Sequence, residues 1–151
     1  MSEEPDLKAL HRKFAVDCFN GTWGLLDQID RTPEDDAAMI HMAHASRFHW
    51  GQIGTPLEWS RGDWQLARVY TVLGMAEMAL HYAKSALDLC ETHGYGDFDL
   101  AFAYEALARA YAVMDNLARR DVYLRLATEA GHAIAEEDDR NYFFNELNSI
   151  L

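Results

Sequence analysis

Apolar residues recur along this chain at i, i+3 and i+4 with little interruption, and the period-two alternation of a half-buried strand is missing. That pattern predicts helices throughout. A long first helix is expected from about Pro5 to Ile29, with Leu7, Leu10, Phe14 and Cys18 down one side. Asn20-Gly21 should loosen it, since a glycine inside a helix costs about 1 kcal/mol relative to alanine. Thr32 and Pro33 read as the N-cap and first residue of a second helix that reaches about Gln52. A break at Gly51 to Pro56 precedes a third helix, Leu57 to Leu73, which turns at Gly74 into a fourth ending near His93. Gly94 to Phe98 leads into a fifth, Asp99 to Met114, with Asp97 or Asp99 as its cap. Asp115-Asn116 then turns the chain into a sixth helix, to about Ala135. An acidic run, Glu136 to Asp139, opens a last helix carrying Tyr142, Phe143, Leu147 and Ile150.

Three stretches of this pattern superpose at a constant offset of 41 residues. Leu25, Leu66 and Leu107 align, as do Ala45, Ala86 and Ala127. Trp23 matches Trp64, Tyr70 matches Tyr111, Tyr82 matches Tyr123, and Arg68 matches Arg109. Evenly spaced large and small apolar residues mean that one helical unit is stacked repeatedly, each copy covering what its neighbour leaves exposed. The repeats run over about 20–52, 60–93 and 99–135, with a terminal segment at 138–151, so residues 1–151 read as a single all-α domain.

The middle unit places Leu66-Ala67, Tyr70, Gly74, Ala79 and Ala86 in the order and spacing that resembles a tetratricopeptide repeat. The third follows with Leu107-Ala108, Tyr111, Asp115 and Ala127, although Arg120 stands where alanine is expected. The first is a weaker match, with Leu25-Leu26, Ile29, Pro33, Ala38 and Ala45. The tryptophan falls one position late (Trp23, Trp64), and Trp50, Glu91 and His132 occupy the place of the helix-ending proline. The spacing exceeds the usual ~34 residues and looks like the longer variants of kinesin light chains and bacterial peptide-sensing regulators. The resemblance implies a solenoid of three helical hairpins plus a C-terminal capping helix, its concave groove lined by the first helix of each pair. Carried over position by position, the groove receives Trp23 and Asp27, then Arg61, Trp64 and Arg68, then Phe102, Glu105 and Arg109.

Charge sharpens the picture. Asp and Glu total 25 against 13 Lys and Arg, a formal net charge of −12, which repels nucleic acid and anionic lipid. Neither a secretory leader nor an apolar run of ~18 residues is evident, and Cys18 and Cys90 form no CxxC. A cytoplasmic location is therefore expected. Three arginines on one face of an acidic protein suit a clamp for an acidic or C-terminal carboxylate segment, because guanidinium forks onto carboxylate. The competing expectation is that Arg68, Arg109 and Glu105 satisfy one another.

Two alternatives stand beside this adaptor role. His41 and His44, with His49 nearby, could hold a metal in a helical enzyme resembling DinB-like bundles. His41, however, shares its repeat column with Tyr82 and Tyr123, which favours packing, and no cofactor is expected. The apolar Tyr142-Phe143-Phe144 face could cap the last repeat or pair two copies as a homodimer.

Overall fold

Threonine-proline pairs fix two of the helix starts. The computed structural model describes residues 6–150, so Pro5 lies outside the described residues. The Asp6 carboxylate accepts the N–H groups of Lys8 and Ala9 and opens α1 (Leu7–Leu26). Helix α2 (Pro33–Ile53) starts with a capping box: Asp35 N–H donates to Thr32 Oγ1 at 3.1 Å, and Thr32 N–H donates to Asp35 Oδ2 at 3.0 Å. The same device, Thr55-Pro56-x-Glu58, opens α3 (Pro56–Val72) one residue before the expected start. The remaining helices are α4 (Ala76–His93), α5 (Asp97–Val113), α6 (Leu117–His132) and α7 (Glu137–Leu147). The described residues contain no strand.

Several boundaries differ from the sequence reading. Helix α1 stops at Leu26, and Ile29 is 95% exposed beyond it. The helix also runs unbroken through Asn20-Gly21, where the Met42 sulfur occupies the space a side chain would take. Helix α6 ends at His132 rather than Ala135, because the Asp97 carboxylate accepts the Ala135 N–H at 3.1 Å and diverts the chain toward α7. The α3–α4 and α5–α6 turns use one repeat column: Gly74 (φ 74°) and Asp115 (φ 59°) both adopt the left-handed conformation that ends a helix.

Short connections make α1/α2, α3/α4 and α5/α6 hairpins. Each new hairpin leans its first helix on both helices before it: α3 contacts α2 and, lightly, α1, while α5 contacts α4 and α3. Helix α7 repeats this relation with α6 and α5. Its residues keep the 41-residue offset too, since Phe143 follows Phe102 and Glu146 follows Glu105 in register. The terminal helix thus packs in the manner of the opening helix of each pair. Small residues permit this close approach: Ala67, Ala83 and Ala106 are buried with Leu107, and Ala101 and Ala127 with Phe102 and Phe143.

The α6–α7 contact leaves no room for a side chain at one position. A Cβ at Gly131 would sit 2.4 Å from Phe143 Cε1 and 2.8 Å from Phe144 Cζ, so only glycine fits without displacing the rings. Phe143 and Phe144 pack in the same cluster as Ala101, Phe102 and Ile134, while Tyr142 stays exposed. Gly131→Ala should therefore destabilise the protein by about 1–3 kcal/mol through overpacking. Gly24→Ala, on α1 with no atom within 4 Å of its added carbon, should instead stabilise it by about 0.5–1 kcal/mol. Urea unfolding of the two variants tests both signs.

Candidate functional site

One aromatic ladder crosses the inner face of the stack. It runs from Phe19 and Trp23 on α1 to Trp64 on α3, Phe102 on α5 and Tyr142 on α7. The Trp23–Trp64 and Trp64–Phe102 ring centroids are each 5.3 Å apart, and Phe102–Tyr142 are 5.9 Å apart. Trp23 and Trp64 come together because they hold the same place in consecutive repeats. The ladder borders two adjoining cavities. The first, about 420 Å³, is lined by these rings with Phe98, and by Arg61, Asp99 and Asp139. The second, about 510 Å³, is lined by Asp27, Arg68, Val72 and Glu146, and shares Trp23 and Tyr142 with the first. Both volumes lie within the range of ligand pockets, and most of the wall of the first is apolar.

The sequence-derived groove residues are brought together here, and all their charges but that of Asp27 are paired. Arg61 donates to both Asp99 oxygens, at 2.8 and 3.2 Å. Glu105 is wholly buried and gathers three donors: Arg68 Nη2 at 3.1 Å, Arg109 Nε, and Trp64 Nε1 at 3.3 Å. Arg68 also donates to Glu146 Oε2 at 3.1 Å, and Arg109 Nη2 reaches the Glu146 carbonyl at 2.6 Å. The Arg68 guanidinium lies over the Trp64 ring, 5.6 Å from its centroid, a cation–π contact, and its buried Nε has no hydrogen-bond partner among the described residues. Glu105 thus gives Arg68 and Arg109 the mutual satisfaction that competed with the clamp reading, and Glu146 completes the network. Asp27 and Asp139 make no side-chain hydrogen bond or ion pair among the described residues. Sequence reasoning missed Asp99, Asp139, Tyr142 and Glu146. The last could have been found by extending the offset one unit past Glu105.

Compared with protein-family models, curated proteins and solved structures, the chain has no match.

What the groove can do chemically therefore follows from its own atoms. It offers apolar area, ring faces and carboxylates. Cys90 sits on its floor, buried, and burial pushes its thiol up to about 11, so it stays protonated near neutrality and is a poor nucleophile. Burial likewise raises the Tyr142 phenol above its usual 10.

The histidines lie elsewhere. His44 Nε2 is 2.7 Å from Tyr70 Oη, and its ring packs edge-on against Tyr82, so its place is in the α2–α3–α4 core. His49 pairs with His11 on α1, with 2.8 Å between their Nδ1 atoms. His41 is not bonded to either, and no group of three His, Cys, Asp or Glu among the described residues could hold a metal ion. Burial, then the neighbouring His41, lowers the His44 pKa from its usual 6.5, with Asp63 opposing; burial, then His11, lowers that of His49.

These shifts have a definite sign. The unfolded chain binds both protons more tightly than the folded one, so their destabilising effect is absent well above pH 6.5 and grows as pH falls through 6.5 toward the folded values. Melting temperature should accordingly drop on acidification from about pH 7.5 to about pH 5.5, and His49→Gln should flatten that slope. A slope unchanged in the variant would remove His49 as a contributor.

Proposed function

We propose that this chain is a tetratricopeptide-like solenoid, three helix pairs and a terminal helix that packs like the first of a pair, that works as a non-catalytic module binding a peptide or partner helix in its inner groove. The observation carrying this reading is the aromatic ladder over α1, α3, α5 and α7, because rings lining an open cavity supply the anchoring area of peptide-binding surfaces. Trp23, Trp64 and Phe102 form the anchor, and Arg61, Arg68, Arg109, Asp27 and Glu105 set the polar frame. An acidic or C-terminal segment reaches Arg68 and Arg109 in this arrangement only by displacing Glu146. No helix among the described residues is long and apolar enough to cross a membrane, so the groove and not a span is the feature calling for a role.

The test is selection from a randomised peptide library displayed on phage, with wild type as bait and a Trp23→Ala/Arg61→Glu variant of unchanged helicity as counter-bait. A consensus recovered on wild type and depleted on the variant is expected. Equal recovery on both, or no enrichment, would sink the reading.

A second reading, a structural homo-oligomer, is favoured by a different surface. Among the described residues no hairpin covers the far side of α1/α2, which exposes Leu7, Phe14 and Phe48. Light scattering over a concentration series decides it.

A further inference from the structure

Taking the groove as the binding face, which the following rests on, we propose that its ligand is a basic peptide segment that inserts a lysine side chain among the rings of the first cavity and sets its ammonium against Asp139. Three observations point there. First, the charges lining the two cavities are two guanidiniums, Arg61 and Arg68, against four carboxylates, Asp27, Asp99, Asp139 and Glu146. Both guanidiniums are already bonded to carboxylates, by Asp99 in one case and by Glu105 and Glu146 in the other. The groove is thus net negative in a chain of net charge −12, and a cation is drawn to it at long range as well as at contact.

Second, aromatic faces attract an ammonium while the lysine stem covers their apolar area. The contact of Arg68 with Trp64 shows this ladder already holding one internal cation. Asp139, on the first turn of α7, borders the same cavity as Trp23, Trp64 and Tyr142 and has no side-chain partner among the described residues. Third, the two cavities adjoin along Trp23 and Tyr142, with Asp27 in the second in the role that Asp139 has in the first. Two side-by-side lobes, each with a free carboxylate, fit consecutive inward side chains of one extended segment better than one compact molecule.

The probes are three acetylated, amidated pentapeptides of alanine whose central residue is lysine, norleucine (the neutral counterpart of lysine) or glutamate. Indole N–H resonances of the whole protein report binding up to millimolar concentration. Trp50 and Trp59 lie outside the two cavities, Trp59 donating to the Trp50 carbonyl, and serve as internal references. The expected result is that the lysine peptide shifts Trp23 and Trp64 and binds roughly tenfold tighter than the norleucine peptide. Added salt weakens the difference, and Asp139→Asn brings the lysine peptide down to the norleucine level. Equal affinity of the lysine and norleucine peptides would leave the groove reading standing and overturn the cationic one. Preference for glutamate would overturn it in favour of the arginines. No shift at Trp23 or Trp64 with any of the three would overturn both.

Discussion

Glu105→Ala will destabilise the protein by about 3–5 kcal/mol, the cost of leaving buried charges without their counter-ion. Glu105 has no solvent exposure, and it is the one carboxylate that contacts Arg68, Arg109 and Trp64 together. Its removal points two guanidiniums, each largely shielded from water, at an empty site. Water re-entering that site would soften the loss; Glu146, which meets Arg68 through its carboxylate and Arg109 through its carbonyl, keeps these contacts and leaves the vacated site unfilled. Chemical denaturation measures the effect. The triple replacement Arg68→Met/Glu105→Leu/Arg109→Met should recover most of it, because a buried ion cluster exchanged for apolar side chains of similar size is often neutral. A triple variant as unstable as Glu105→Ala would mean that the site depends on shape and not on charge pairing.

Phe143→Ala carries the second large effect, about 3–5 kcal/mol for a fully buried ring, and its consequence is local. Phe143 meets the Phe102 ring at 5.0 Å and fills the space over Gly131, so its loss undocks α7 while α3 to α5 keep their own core. The measured loss cannot exceed the free energy of docking α7. Hydrogen exchange should show faster amides over α7 with those of α3 and α5 unchanged. Exchange that rises evenly along the chain would contradict the terminal-cap role of this helix.

How much of this was legible beforehand depends on what each residue packs against. The columns Leu25–Leu66–Leu107 and Ala45–Ala86–Ala127 were plain because an identical neighbour imposes the same size limit in every unit. The helices follow from them and from their caps. Helix α7 was harder to place. It keeps the inward positions Phe143 and Glu146, but the Leu107 column becomes Asn148 there, since no second helix follows within the described residues to demand an apolar filler. Charge pairing was only half legible. Arg68 and Glu105 could be paired because their separation, 37 residues, is close to one repeat. The Arg61–Asp99 pair, 38 residues apart, carried the same signal, but Asp99 read as the opening residue of α5 or its cap. The polar set Asp63, Arg47 and Ser85, which joins α2, α3 and α4 at 2.9 and 2.6 Å, gave no signal at all, as its members share no column.

Trp23 on the first helix and Tyr142 on the last border the same two cavities. An open-ended array can usually lengthen or shorten by whole units, because each unit touches only its neighbours. Between Trp23 and Tyr142 this one cannot. Inserting a further pair there would carry Tyr142 away from Trp23 and divide the cavities, and deleting one would leave no room for them. The number of units between these two residues is therefore locked by the space they border, and duplication, an ordinary route by which such chains diversify, is closed to that stretch unless the cavities are given up.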